Sequence, residues 1–121
     1  MFVSWTLDKT RPICPQMCEQ ICVKIASGEF APGARLMSVR EVAVSAGVNP
    51  NTVQKSFEQL ELKGIIYSVR GSGWFVSAET ETAKEEVSEL IRSKTADYFG
   101  QMNALGMDNC ETKRYVKEWE E

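Results

Sequence analysis

SVREVAVSAGVNPNTVQKSFEQLELKGIIYSVRGSGWFVS, residues 38–77, decides the fold. Ala43, Gly47 and Val53 stand four and then six residues apart. A small residue therefore sits where one helix crosses another, a glycine supplies the turn, and a β-branched residue anchors the second helix. The flanking residues mark the ends of both helices. Ser38 with Glu41 forms a capping box, and Val39, Val42, Ala43 and Ala46 give the first helix its buried face. Asn49 suits the N-cap of the second helix and Pro50 its first position, where no N–H is needed. Val53, Phe57 and Leu60 then recur at i, i+4 and i+7, and Lys63-Gly64 ends the run.

Beyond that helix pair, Ile65 to Val69 and Trp74 to Ser77 are rich in β-branched and aromatic residues. Arg70-Gly71-Ser72-Gly73 between them reads as a compact hairpin tip carrying one cation. Helix, tight turn, helix and glycine-centred hairpin make a winged helix-turn-helix. In that architecture the start of the second helix enters the DNA major groove. Asn51, Thr52, Gln54 and Lys55 occupy its outward first turns. Gln can bond adenine N6 and N7 together, Asn and Thr can reach bases or phosphates, and Lys can hold a phosphate or donate to guanine. The same four residues also suit an ordinary solvated helix face. The hairpin tip, if a wing, can approach the sugar-phosphate backbone or a minor groove.

From Pro12 to Ser77 the chain resembles the DNA-binding domain of GntR-type bacterial transcription regulators, with details similar to the YtrA branch. The resemblance rests on Pro12-Ile13 with Gln16 and Gln20-Ile21, on SGEFAPGARL from Ser27 to Leu36, and on SVRE, VNPNTVQ and RGSGWFV. It implies that Arg40 contacts DNA from the start of the first helix of the pair. It also implies that Pro50, Asn51, Thr52 and Gln54 lie at the groove, and that Arg70 and Gly71 touch the backbone or minor groove. With Ser38, Asn49, Lys55, Ser72 and Gly73 these make up the candidate DNA-contact set. Two positions depart from the pattern. Leu36-Met37-Ser38 lacks a proline common before the serine, which removes a rigid lead-in but leaves the cap. Cys14 stands where the branch usually has Tyr.

The 121 residues, 43% hydrophobic and 26% charged, suffice for one small domain with an appendage too short to fold alone. The division read here is a winged helix-turn-helix over 1–77 and a helical tail over 78–121. Net charge is −3, unevenly shared: residues 1–77 carry eight Lys/Arg against six acids, and residues 78–121 carry six against eleven. The first part is only weakly basic, so phosphate contacts should be few, which favours a reader working in two copies. No apolar run approaches the ~18 residues needed to span a bilayer. The start, MFVSWTLDKTRP, lacks a signal-peptide pattern, so a cytoplasmic protein is expected. With no His, no phosphate loop and no nucleophile beside a base, an enzyme is not expected. No cofactor or metal is called for.

In the tail, Thr82 with Glu85 suggests a capping box, followed by Val87, Leu90, Ile91, Tyr98 and Met102 on one stripe up to Leu105-Gly106. Asp108 with Glu111 opens a second helix bearing Tyr115, Val116 and Trp119. Such a hairpin cannot bury its stripe alone, so those eight apolar residues are the candidate dimerisation surface, in accord with the short two-helix dimerisation tail of the YtrA branch. The fold class expected is thus mainly α with a small β-hairpin wing, ending in a two-helix dimerisation hairpin. A twofold pair would read a palindrome with half-sites about 10 base pairs apart, or closer. The family resemblance implies repression. A small-molecule effector is left unidentified, because a pocket of about 300 Å³ is hard to build inside so short a hairpin, though a dimer cleft could hold one.

Two other readings stay open. A winged helix can bind protein in place of DNA, since fold does not fix function. Cys14, Cys18 and Cys22 recur every four residues beside the Ile13, Met17, Ile21 and Ile25 stripe of a helix over Pro12 to Ser27, with Cys110 distant. A thiol-responsive regulator would use them, yet i,i+4 Cβ atoms lie about 5–6 Å apart against the ~3.8 Å of a disulfide, and Cys is commonly a small buried hydrophobe.

Overall fold

The computed structural model describes residues 3–120. In chain order the elements are α1 (Ile13–Ala26), α2 (Val39–Ala46), α3 (Pro50–Leu62), β1 (Ile66–Val69), β2 (Gly73–Val76), α4 (Glu81–Ala104) and α5 (Asn109–Lys117). They form two compact units, Met1–Val87 and Ser88–Glu121.

The core of the first unit is built on α3. Val53, Phe57 and Leu60 are almost fully buried, with Met17, Ile21 and Ile25 of α1 on one side and Val42 and Ala43 of α2 on the other. Both caps form as the sequence requires: Ser38 Oγ accepts from the Glu41 N–H while the Glu41 carboxylate accepts from the Ser38 N–H, and Asn49 Oδ1 accepts from the Asn51 N–H. Gly47 closes α2 in the left-handed region at φ 68°, a value that costs glycine nothing. β1 and β2 pair antiparallel in the register Ile66↔Val76 to Val69↔Gly73. Ile66 and Val76 turn inward, and Trp74 meets the Phe57 ring edge-on at 5.3 Å, tying the hairpin to α3.

A segment before α1 completes this unit. Gln16 and Gln20 act as amide clamps: each accepts from a backbone N–H (Asp8 and Thr6) and donates to the carbonyl of the same residue. Val3 is buried, Trp5 Nε1 donates to Ser45 Oγ at 3.0 Å, and Lys9 Nζ donates to Gly47 O at 2.9 Å, at the turn between α2 and α3. Lys24 lies over the Trp5 ring at 5.0 Å and donates to Ser4 O. The unit reaches past the hairpin into α4, where Ala83 is buried, Val87 packs on the core and Glu86 pairs with Lys63 at 3.0 Å.

α4 starts one residue before Thr82, so the capping box expected at Thr82 and Glu85 does not form. The Lys84 N–H reaches back to Thr80 O, which places the helix start earlier. In the second unit the Asp108–Glu111 box does form, and Asn103 Nδ2 braces the turn by donating to Met107 O and Asn109 Oδ1. Thr112 is the one buried residue there among those described. Among the described residues no helix is long and apolar enough to cross a membrane.

Candidate nucleic-acid interface

The first turns of α3 hold the candidate contact residues, and their support is built from local hydrogen bonds. Pro50 occupies the first helical position, Thr52 and Val53 bond back to Asn49 O, and Ser56 Oγ donates to Thr52 O. Asn51, Gln54 and Lys55 are exposed on the outer side, while Thr52 is half-buried. Gln54 donates one amide hydrogen to Glu58 Oε1 at 3.0 Å. That bond fixes its orientation and leaves one N–H and the carbonyl oxygen, the donor and acceptor that adenine matches.

Ser38 and Asn49 are engaged differently from their neighbours. Their side-chain oxygens are spent on capping α2 and α3, so they set where each helix begins. Arg40, in the first turn of α2, is exposed. The Glu41 carboxyl is held below the usual carboxylate range by the hydrogen bond from the Ser38 N–H, then by the Ser38 hydroxyl and the Arg35 charge.

At the hairpin tip the Ser72 N–H bonds Val69 O at 2.9 Å, leaving Arg70, Gly71 and Ser72 exposed and Gly73 half-buried. Glu61 of α3 accepts from both the N–H and the hydroxyl of Ser68, bolting β1 to the helix. Tyr67 stacks on Phe75 at 5.7 Å on the outer face. An extended segment outside the two-stranded sheet lies beside β2: Val76 N–H bonds Ala34 O, Leu36 N–H bonds Trp74 O, and Arg35 forms a single antiparallel bridge with Phe75.

The model of the bacterial regulatory proteins, gntR family, matches residues 16–76, spanning α1 to the end of the hairpin. The chain belongs to the GntR family. It is 37% identical to the HTH-type transcriptional repressor YtrA of Bacillus subtilis over 66% of this chain and 68% of that one. A GntR family transcriptional regulator from Listeria monocytogenes shares 31% identity and superimposes with a TM-score of 0.82, covering 94% of this chain and all of that one. The DNA-binding domain of AraR, solved in complex with an operator, shares 29% identity with a TM-score of 0.53, covering 62% of this chain and 92% of that one. This GntR protein is therefore a DNA-binding transcriptional regulator, and its family is one of regulators, not enzymes.

One feature of this GntR chain was not legible from local spacing. The Gln16 and Gln20 of the family resemblance act as clamps for the segment before α1, a long-range role that local spacing does not signal. The thiols of α1 pack on α3 as small groups, buried or half-buried, as read from the sequence: Cys14 Sγ lies 3.3 Å from Ser56 Oγ, whose hydrogen goes to Thr52 O, and Cys18 Sγ approaches Ser56 O at 3.5 Å. Burial pushes Cys18 up to about 12 and Cys22 up to about 11, which disfavours the thiolate form at these two positions.

In the second unit, Ile91, Tyr98, Tyr115, Val116 and Trp119 are exposed, with Leu90 and Met102 half-buried; Val87 lies instead against the core of the first unit. Phe99, absent from the expected stripe, joins Tyr98, Tyr115, Val116 and Trp119 in lining an open apolar groove of about 730 Å³.

Proposed function

We propose that this protein is a repressor that binds a palindromic operator as a homodimer in the cytoplasm. The domain over 1–77 reads DNA and the tail over 78–121 joins the two copies. The observation that carries this reading is the start of α3: Asn51, Gln54 and Lys55 exposed on a helix whose other side is locked by Val53, Phe57 and Leu60. In this reading α3, with its C-cap at Lys63, lies in the major groove. Gln54 reads a base, Asn51 and Thr52 contact bases or phosphates, and Lys55 and Arg40 hold phosphates. Ser38, Asn49 and Pro50 position the two helix starts, and Arg70 to Gly73 lie along the backbone or minor groove.

The dimer reading is supported by the exposed apolar residues of the tail: Trp119 and Ile91 are each 61% exposed, a poor state for large apolar groups in a lone chain. The repressor named YtrA supports the sign of regulation. No effector is assigned.

Binding measurements on a duplex enriched from random sequence test the groove assignment. Gln54→Ala should cost about 1–3 kcal/mol at the cognate base pair and relax selectivity there, whereas Lys55→Ala should weaken all duplexes alike and flatten the salt dependence. If Arg40→Ala, Gln54→Ala and Arg70→Ala each leave binding unaltered, the winged helix serves a protein partner instead.

A further inference from the structure

Arg35 lies outside the set of residues assigned to DNA above, yet its surroundings single it out. It sits in the segment bonded along β2, where the Val76 N–H meets Ala34 O at 2.9 Å and the Leu36 N–H meets Trp74 O at 2.8 Å. Its backbone is held on both sides, and Leu36 next to it is buried. Alternation along an extended segment then sends Arg35 to the opposite face. There the guanidinium covers Gly73 at the base of the hairpin tip. A Cβ built on that glycine would stand 3.4 Å from Nε, 3.5 Å from Nη2 and 3.9 Å from Cζ. Glycine at 73 thus does two things: it takes the φ of 110° that starts β2 and it leaves the space in which the guanidinium rests.

The start of α2, with Ser38 as its N-cap, follows three residues after Arg35. The Arg35 charge is felt at Glu41, whose carboxylate is already committed to the Ser38 N–H at 3.0 Å. No carboxylate of the described residues lies within 4.0 Å of the Arg35 guanidinium. An exposed, charged, planar donor group is therefore seated on a backbone-anchored extended segment that leads from the base of the hairpin tip to the start of α2, with no carboxylate of the described residues within ion-pair distance. The guanidinium fork matches the oxygens of a phosphate, and a seat packed on Gly73 lowers the ordering cost of using it.

We propose that Arg35 is a further DNA-contact residue that clamps a backbone phosphate between the wing and the α2 start; this rests on the DNA-reading function proposed above. It bonds phosphate oxygens and carries no sequence information, so it adds a fourth cation to Arg40, Lys55 and Arg70. With so weakly basic a domain, each such contact is a large share of the whole salt dependence.

The test uses the full chain and a mixed-sequence 30-base-pair duplex, because a phosphate contact does not need the operator. Binding of the wild type, Arg35→Gln and Arg35→Lys is followed by fluorescence anisotropy across a salt series, with melting temperatures recorded for each. The expected result is about tenfold weaker binding by Arg35→Gln at every sequence tried and a salt slope smaller by about 0.9, at an unchanged melting temperature. Arg35→Lys, which keeps the charge, should retain most of the slope. Wild-type affinity and slope in Arg35→Gln would overturn the proposal. So would a lowered melting temperature with an unchanged slope in both variants, which would make Arg35 a brace for the wing. A wild-type chain that shows no salt-dependent duplex binding would instead overturn the DNA-reading function itself, and this proposal with it.

Discussion

The two units differ in what their apolar residues do. In the first, Met17, Ile21, Val53, Phe57, Leu60, Ile66 and Val76 are all at most 1% exposed, and each helix is fixed by others. In the second, the large apolar residues Ile91, Leu105, Tyr115, Val116 and Trp119 are between 48% and 78% exposed, and burial is confined to Thr112 among the described residues. The first unit is stabilised from within. The second has the caps and turn of a helical hairpin but not the burial, so its apolar surface is available to a partner. In the function proposed above, rigidity belongs where a few side chains are to be aimed at base edges, and incomplete burial where a second copy is to be met.

That contrast can be broken most directly in the core. Phe57→Ala should destabilise the first unit by about 3–5 kcal/mol, read by chemical denaturation, because a cavity opens between α1, α3 and Trp74. A cost under 1 kcal/mol would mean that the core is not tightly packed. Next in size is the tail. Tyr98→Ala with Trp119→Ala should leave the melting of the first unit unchanged while converting the protein to a monomer by sedimentation, with operator affinity lower by about tenfold or more through lost avidity. An unchanged dimer in that double variant would move the interface elsewhere.

Thiol reactivity offers a finer comparison. Burial pushes the Cys18 and Cys22 thiols well above the ordinary thiol range, and Cys18 is half-buried and Cys22 buried, whereas Cys110 in the second unit is exposed. Alkylation followed by mass spectrometry should modify Cys110 first and Cys18 and Cys22 only on unfolding. Rapid labelling of Cys18 in the native state would revive the thiol-responsive reading.

The smallest expected effect is on pH dependence. Glu41 is held below the usual range by the Ser38 N–H, and Asp8 by the hydroxyl and N–H of Thr10 and by Arg11. Both folded values lie below the unfolded ones, near 4.5 and 3.8, so their stabilisation is complete above those values and is lost as pH falls through the lower folded ones. Glu41→Gln should flatten the acid limb of melting temperature between pH 5 and 3, and an unaltered limb would discount the cap's charge.

The helix-turn-helix was legible because its signals are local. Ser38 with Glu41, Gly47, and Asn49 with Pro50 each act within a turn of themselves, and all three formed as read. The hairpin was legible for the same reason, one residue out at the start of β1, which begins at Ile66, and along β2, which runs Gly73–Val76 because Gly73 pairs with Val69. Features that depend on distant partners were not. Trp5 on Ser45, Lys9 on Gly47 and Arg35 on Gly73 join residues 38 or more apart, and nothing in the spacing of the earlier residue points to the later one. The Thr82 box failed because Thr80, two residues earlier, could start the helix as well. Phe99 was missed because it stands beside the Tyr98 stripe and acquires its role only when α5 turns Tyr115, Val116 and Trp119 toward it.

Selection from a random duplex pool by the purified full chain at near-physiological salt, with sequencing of the bound fraction, tests the central claim most directly. Enrichment of a twofold-symmetric motif, with half-sites about one helical turn apart or closer, is the result this account predicts. A bound pool no different in sequence from the input would contradict it.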